Sequence, residues 1–199
     1  MQVPRPFCSA AVQPVRPKAR MQLLLYLQGR YGAVNVDYVQ TSAVAAGVEA
    51  PYDVFAISST PGSGSIRNKW YNSTTPIVNW EEAIADNAAG EFSITSGRPK
   101  ETETDHSIEI LRAHPIDRRW FFVGQIVQVT SGANEFWWSL APKLPEPSVF
   151  PATMNSDQFV ATHIDAGATL LNGGTAPARQ VMLGMSDATF DFLTPDGQQ

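Results

Sequence analysis

Short stretches in which hydrophobic and polar residues alternate recur along most of this chain, which is the pattern of half-buried β-strands. The clearest stretch places Val34, Val36 and Tyr38 on one face and Asn35 and Asp37 on the other. Because successive side chains of a strand point to opposite faces of a sheet, one face of this strand is expected in the core.

The same pattern predicts about ten short strands along the chain. They are Leu23–Leu27, Ala33–Val39, Tyr52–Ser58, Phe92–Thr95, Ser107–Leu111, 120–130 as one strand or two around Gly124, Phe136–Leu140, Phe159–Ile164, Arg179–Gly184 and Ala188–Leu193. The hydrophobic residues expected on inward strand faces are Val34, Val36, Tyr38, Ile108, Ile110, Ile126 and Phe136.

One segment departs from the alternating pattern and predicts a helix. Asn79 is a suitable N-cap for a helix over Trp80–Ala89, with Glu81 and Glu82 in the first turn and Gly90 after the last. Carboxylates are favoured near the positive end of a helix dipole, and glycine favours termination. The segment before this helix, 60–79, is predicted to be a long loop.

Many strands, one helix and proline-rich connections predict an all-β protein, a jelly-roll β-sandwich with one short helix and extended N- and C-terminal segments. Residues 1–20 are expected to be an extended basic arm, 21–151 the jelly-roll domain, and 152–199 a C-terminal extension. The prolines between Pro142 and Pro151 mark the second boundary.

Charge is unevenly distributed along the chain. Five of the 14 Lys and Arg residues precede Asp37, the first acidic residue. The rest of the chain therefore carries the other nine basic residues and all 19 Asp and Glu residues. A proline-rich basic head on an acidic body suits a segment that lies against a polyanion or an acidic neighbour. The candidate genome-facing or inter-subunit residues of this arm are Arg5, Arg16, Lys18 and Arg20.

The composition further narrows the classes of protein to which the chain could belong. Charged residues make up 17% of the chain, below the usual ~25% of a globular domain. Either neighbouring subunits cover much of the surface, or hydroxyl and amide groups supply its polarity. Cys8, the single cysteine, excludes an internal disulfide. No apolar run approaches the ~20 residues needed to span a bilayer, and the basic N-terminus lacks the apolar core of a secretory signal.

Residues that could carry catalysis or bind metals are few. The three histidines, His106, His114 and His163, lack the spacing of a helical metal pair. The Gly62–Ser65 segment superficially resembles a phosphate loop but lacks the Gly-Lys-Ser/Thr ending. No catalytic, cofactor-binding or metal site is therefore predicted.

Acidic and aromatic clusters leave two alternatives open. Glu101, Glu103 and Asp105 alternate within a polar loop, which is either a solvated face or a divalent-cation site. The aromatic segments 120–122 and 136–138 are either a stacking platform for sugars or bases, or residues divided between the core and a neighbouring subunit. Adjacent aromatics such as Trp137 and Trp138 face opposite sides of a strand, which favours the second interpretation.

Three segments of the sequence, taken in their order along the chain, carry a resemblance to a known family. The segment LYLQGRYG at 25–32 leads into the alternating strand at 33–39. The segment SIEILRAHP at 107–115 ends in a proline corner and returns to aromatic residues at 120–121. The segment IVQVTSGANEFWWSLAP at 126–142 combines a strand, a polar turn, an aromatic strand and a proline. In this order they resemble the capsid proteins of picornavirus-like icosahedral RNA viruses, of the picorna, dicistro and marna type.

The resemblance covers residues 21–151 and implies an eight-stranded jelly roll with no catalytic residues. Strand B of the family would lie within Phe7–Val15 or be absent. The resemblance also implies a virion protein that assembles in the host cytoplasm with homologous capsid subunits. Its N-terminal arm would contact genomic RNA, and no cofactor or membrane partner is expected.

Two other functions are compatible with the sequence. A phage head, tail or cement protein would also be β-rich and poor in charge. A carbohydrate-binding or hydrolytic β-sandwich would use Glu101 and Glu103 with Trp70 or Trp80. Large shells or rings would distinguish the assembly proteins from a monomeric sugar-binding domain.

Overall fold

The computed structural model of the chain describes residues 7–10, 25, 27–32, 35–39, 44–59, 62–86, 90–95, 100–101, 107–110, 123–131, 137–140, 152–155, 158–184, 189 and 192–195. Eleven short strands lie within these residues, and the chain is an all-β protein. The strands are β1 (Phe7–Ala10), β2 (Val36–Val39), β3 (Phe55–Ile57), β4 (Ile77–Asn79), β5 (Lys100–Glu101), β6 (Ser107–Ile110), β7 (Ile126–Gln128), β8 (Trp137–Leu140), β9 (Ala152–Asn155), β10 (Gln158–Ile164) and β11 (Gln180–Leu183).

The strands form a mixed sheet in the order β2-β1-β3-β4-β11-β10-β9-β6-β7, and β8 joins β10 to β5. The five strands from β2 to β11 run parallel to one another. The remaining pairings, from β11 through β10 to β7 and from β10 through β8 to β5, are antiparallel. A jelly roll is built from antiparallel strands, so the parallel half differs from the predicted topology.

The N-terminal strand lies inside the sheet. Residues 7–10 pair with β2 on one side and with β3 on the other. These four residues fall within Phe7–Val15, where the sequence left open a strand as well as an extended arm. Parallel pairing needs a long connection between the strands, so local sequence patterns cannot reveal it. The predicted arm residues Arg5, Arg16, Lys18 and Arg20 lie outside the described residues.

The C-terminal segment also contributes to the sheet. Strand β11 pairs with β4, and β10 pairs with β11, β9 and β8, so these strands connect the parallel and antiparallel halves. Ile164 and Met182 are fully buried there. Strands β9, β10 and β11 are therefore part of the sheet, and Ile164 and Met182 contribute to its core.

The core lies on one face of the sheet. The register places Phe55, Ile77, Gln180 and Ile164 side by side across four strands. The core cluster combines the three hydrophobic side chains of this row with side chains from the loops that cover them. It contains Val44, Phe55, Ile57, Ile66, Trp70, Ile77, Ile84, Ala85, Phe92, Ile94, Ile164, Ala168, Leu170, Ala176 and Met182. Strand β3 is buried on both faces, as is usual for a central parallel strand.

The predicted inward faces are confirmed at two positions and wrong at two. Val36 and Ile110 are buried, whereas Tyr38 is 38% exposed and Ile126 is 72% exposed. In β7 it is Val127 that is buried. A shift of one residue exchanges the two faces of a strand, so the correct strand was assigned the wrong face. Ile108 is partly buried, and Val34 and Phe136 lie outside the residues whose side chains are described.

Short helical turns replace two of the predicted elements. Leu25 and residues 27–31 are helical, so the predicted strand Leu23–Leu27 is wrong at Leu25 and Leu27. The predicted helix over Trp80–Ala89 is described only as a 3-10 turn, Glu82–Ile84. Asn79 makes the expected cap, because its side-chain oxygen accepts a hydrogen bond from the Glu81 amide at 2.9 Å. A further turn of helix, Ser63–Ile66, and strand β4 lie in the predicted loop 60–79.

Candidate functional site

One cluster of charged side chains lies where β10 and β11 meet. The Nε and Nη2 atoms of Arg179 each lie 2.9 Å from Oδ1 of Asp165. Nε2 of His163 lies 3.2 Å from the same oxygen. The antiparallel register that pairs Ile164 with Gln180 brings Asp165 and Arg179 opposite each other, one residue beyond the strands.

This cluster has only part of the geometry of a catalytic site. A carboxylate beside an imidazole can orient a general base. His163 is only 2% exposed, however, so a substrate in solution cannot reach its ring. Asp165 and Arg179 are exposed and form a cross-strand ion pair. The arrangement fits a contact that fixes the register of β10 and β11.

A second ion pair anchors the segment that follows the short helix Ser63–Ile66. The Arg67 guanidinium contacts the carboxylate of Glu91, whose side chain is buried. The Asn68 amide donates a hydrogen bond to the carbonyl of Gly90 at 2.9 Å. These contacts hold two loops against the core, so we assign them a structural role.

The tryptophans proposed for a sugar site lie inside the protein. Trp70 is 1% exposed and Trp80 is 8% exposed. A sugar stacks on an open ring face, which neither side chain offers. Glu101 lies in β5, while Glu103, Asp105, His106 and His114 lie outside the described residues. The described candidates for a sugar site, Trp70, Trp80 and Glu101, therefore do not line a common cleft.

Among the described residues, no group of three or more His, Cys, Asp or Glu side chains could hold a metal ion. No described helix is long and apolar enough to cross a membrane.

Large hydrophobic side chains are exposed on both end strands of the sheet. In the part of the chain that the structure describes, the exposed ones are Leu25, Tyr31, Tyr38, Val123, Ile126 and Phe192. Tyr38 lies in β2, the first strand of the order, whereas Leu25 and Tyr31 lie in the helical segment that precedes β2 in the sequence. Ile126 lies in β7, the last strand, and Val123 lies three residues before it.

Phe192 lies at the β7 end as well. Its carbonyl accepts a hydrogen bond from the Ser131 amide at 2.6 Å, and Leu193 is bridged to Thr130. Tyr38, Ile126 and Phe192 thus lie in the two terminal strands or are bonded next to them. Exposed apolar residues that cluster in this way are typical of interaction surfaces.

The sheet presents Tyr38 and Ile126 on the same face. Tyr38 pairs with Ser9, Ser9 with Ala56, and the row continues through Val78 and Val181 to His163. Phe159 lies on the same side of β10 as His163, because the two are four residues apart. Phe159 then pairs with Thr153, Thr153 with Glu109, and Glu109 with Ile126. This face is opposite the one that carries the core cluster, and it is itself covered in the middle of the sheet, where Ala56 and His163 are buried.

The sequence contained a signal for the exposure of Ile126 that the alternation rule overlooked. Gln128 shares a face with Ile126, whereas Val127 and Val129 share the other. A face with a glutamine is the better candidate for solvent, and both valines are buried. No comparable local signal identifies Tyr38, which shares its face with the buried Val36.

The comparisons with known proteins leave the family open. The chain matches no protein-family model and no curated protein sequence.

Proposed function

We propose that this chain is a structural capsid subunit of a small icosahedral RNA virus, assembling with related subunits around the genome. The observation that carries the proposal is the exposure of a large hydrophobic side chain on each end strand of one sheet, Tyr38 in β2 and Ile126 in β7. A protein that acts by assembly needs such surfaces at more than one place, because each subunit must contact several neighbours. The resemblance of segments 25–39, 107–121 and 126–142 to picornavirus-like capsid proteins gives the proposal its specific form.

Two further features support assembly over catalysis. The charged clusters among the described residues are explained as structural contacts, at Asp165 with Arg179 and at Arg67 with Glu91. The low proportion of charged residues, 17%, suits a surface that neighbouring subunits cover in large part. Burial of Trp70 and Trp80 counts against the sugar-binding alternative.

The jelly-roll topology is the finer part of the proposal. The antiparallel strands β6, β7, β9 and β10 are of the kind that a jelly roll requires. The parallel pairings of β1 with β2 and β3, and of β4 with β3 and β11, are not. An electron cryomicroscopy structure of the assembled protein tests this point. Antiparallel neighbours for β1 and β4 would support a jelly roll, and parallel ones would replace it with a mixed sheet.

The proposed function is tested by measuring the size of the particles that the chain forms. The purified chain, alone and with related subunits from the same source, is examined by analytical ultracentrifugation and electron microscopy. We expect closed particles far larger than the 21.7 kDa chain. A monomer under every condition contradicts the proposal, and so does a tail-like tube or a cement protein on a foreign shell.

The basic arm is tested in the same particles. Replacing Arg5, Arg16, Lys18 and Arg20 by glutamine should lower the RNA that copurifies, because each lost charge weakens phosphate binding. A matched control removes the same number of charges from elsewhere in the chain, at Arg30, Arg98, Lys100 and Lys143. Equal RNA loss in both variants would mean that the arm has no special role in genome binding.

A further inference from the structure

The loop that joins β10 to β11 ends in a tight turn held by backbone hydrogen bonds. The Leu170 amide donates to the carbonyl of Gly174 at 2.8 Å, and the Gly173 amide donates to the carbonyl of Leu170 at 3.0 Å. Asn172, Gly173 and Gly174 are all exposed. Solvent therefore reaches the side chain and the backbone at the tip of this turn.

We infer that Asn172 is a site of spontaneous deamidation, a modification that requires only water and is independent of the assembly function. The Gly173 nitrogen forms a bond to Cγ of Asn172, and the bond from Cγ to Nδ2 breaks. Nδ2 leaves as ammonia, which takes up the proton of the Gly173 amide. Water then opens the cyclic imide at either of its carbonyls. The products are an α-linked aspartyl residue and a β-linked isoaspartyl residue.

The residue after an asparagine decides how easily its nitrogen can reach the side-chain amide. Gly173 has no Cβ to obstruct that approach, and its φ of +82° lies in a region that glycine adopts at no steric cost. Asn172 is the one asparagine of the sequence that precedes a glycine. Asn72 is exposed in a turn as well, but there the attacking nitrogen would belong to Ser73.

A hydrogen bond of the turn favours the attack. Oδ1 of Asn172 accepts a hydrogen bond from the Gly174 amide at 2.8 Å. This bond withdraws electrons from Cγ, and it stabilises the negative charge that develops on Oδ1 when the nitrogen attacks. The ring closed by the hydrogen bond contains both Cγ and the Gly173 nitrogen, so the turn restrains the two reacting atoms within one ring.

One contact of the turn has to open before the reaction. The Gly173 amide gives up its hydrogen bond to the carbonyl of Leu170 when its nitrogen becomes the attacking group. Loop tips open locally at a small fraction of the free energy of global unfolding. We therefore expect Asn172 to react in the folded protein as well as in the unfolded chain.

The two products should affect the turn differently. The α-linked product keeps the original backbone, and its carboxylate still accepts the hydrogen bond from Gly174, now assisted by charge. The β-linked product places Cβ in the main chain between Leu170 and Gly174. That longer backbone no longer fits the two hydrogen bonds of the turn, so this product should loosen the connection between β10 and β11.

Peptide mapping by mass spectrometry tests the site in the full chain. The folded protein is incubated at mildly alkaline pH, which promotes loss of the amide proton. We expect deamidation at Asn172 to be at least about tenfold faster than at Asn72, a difference of roughly 1.4 kcal/mol in activation free energy. Asn172→Gln is the control that removes the reactive side chain.

The same incubation in urea shows what the fold contributes. Deamidation at Asn172 in both the folded and the unfolded chain would support the inference. Deamidation only in urea would overturn it, because the turn would then protect the side chain. Equal rates at Asn172 and Asn72 in the folded protein would overturn it too.

A substitution at Gly174 tests the assisting hydrogen bond. A Cβ atom there would lie 2.9 Å from Oδ1 of Asn172, so Gly174→Ala should displace that side chain from the Gly174 amide. The rate at Asn172 should fall by about three- to tenfold, the equivalent of one hydrogen bond. Thr175→Ala, an exposed neighbouring position, should leave the rate unchanged. Circular dichroism checks both folds. Equal rates in the two variants would overturn the active role assigned to the turn.

Discussion

The indole ring of Trp70 packs against the phenyl ring of Phe55, with ring centroids 4.8 Å apart and ring planes inclined by 55°. Phe55 comes from the central parallel strand β3, and Trp70 from the loop that follows the short helix Ser63–Ile66. The contact thus joins the covering loops to the sheet at the centre of the core cluster. Aromatic pairs in this tilted geometry contribute beyond the area they bury.

Replacing Trp70 should destabilise the whole domain. Trp70→Ala is expected to lower the free energy of unfolding by about 3–5 kcal/mol, because it leaves a large cavity against Phe55. Trp70→Phe should cost less, since it keeps an aromatic partner. Urea denaturation followed by circular dichroism measures both. The control is Asn72→Ala, a nearby exposed position with an expected effect within about 0.5 kcal/mol. A small effect of Trp70→Ala would place the ring outside the core.

The strand faces can be tested with one substitution at two positions. Ile110→Ala should cost about 2–5 kcal/mol, because Ile110 is 1% exposed. Ile126→Ala should change the free energy of unfolding by less than about 0.5 kcal/mol, because Ile126 is 72% exposed. Both are measured at low protein concentration, where association does not contribute. Equal costs would mean that the β7 register is shifted by one residue.

Gly90 should tolerate no side chain. Its φ is +82°, and a Cβ atom there would lie 1.5 Å from Oδ1 of Asn68. Gly167 has a similar φ of +85° but no heavy atom within 4 Å of the Cβ position. Gly167→Ala should therefore show the backbone cost alone, about 1–2 kcal/mol, and Gly90→Ala clearly more. Thermal unfolding compares the two.

A second substitution separates the clash at Gly90 from backbone strain. Asn68→Gly removes the side chain that the new Cβ would meet, and Asn68 itself has a positive φ of 67°. In the Asn68→Gly background, Gly90→Ala should cost about as much as Gly167→Ala does. An unchanged cost in that background would show that the clash is relieved in some other way.

The N-terminal strand should be required for folding. Deleting residues 1–10 removes β1, which lies between β2 and β3, and so separates β2 from the sheet. We expect loss of the cooperative melting transition in differential scanning calorimetry. Deleting residues 1–6 keeps β1 and should keep the transition. A full transition in both deletions would instead support an arm that lies outside the folded domain over its whole length.

Several local features followed from the sequence because their causes are local. The hydrophobic alternation gave the strands β6, β7, β8, β10 and β11 to within a few residues. The Asn79 cap depends on a side chain and an amide two residues away. The turn at Asn172–Gly174 has an equally local cause, since Oδ1 of Asn172 accepts a hydrogen bond from the Gly174 amide at 2.8 Å.

The candidate surface needed more than the sequence pattern. Tyr38 and Ile126 look like core residues in any alternating run, and each was expected to point inward. Their exposure depends on which strands end the sheet and on which face the loops cover, and both are properties of the assembled fold. Gln128, which shares a face of β7 with Ile126, was the one local sign that Ile126 is exposed.

The sequence by itself determined the all-β class and the places where many of the strands occur, because alternation and turn residues act over a few positions. The tertiary structure alone decided that Phe7–Ala10 lies between β2 and β3, that residues 158–183 connect the two halves of the sheet, and that Tyr38 and Ile126 are exposed on its end strands. The reason is physical: backbone hydrogen bonding pairs any two extended segments. The choice among partners is made by the burial of side chains far apart in the chain, such as Ile57 and Met182.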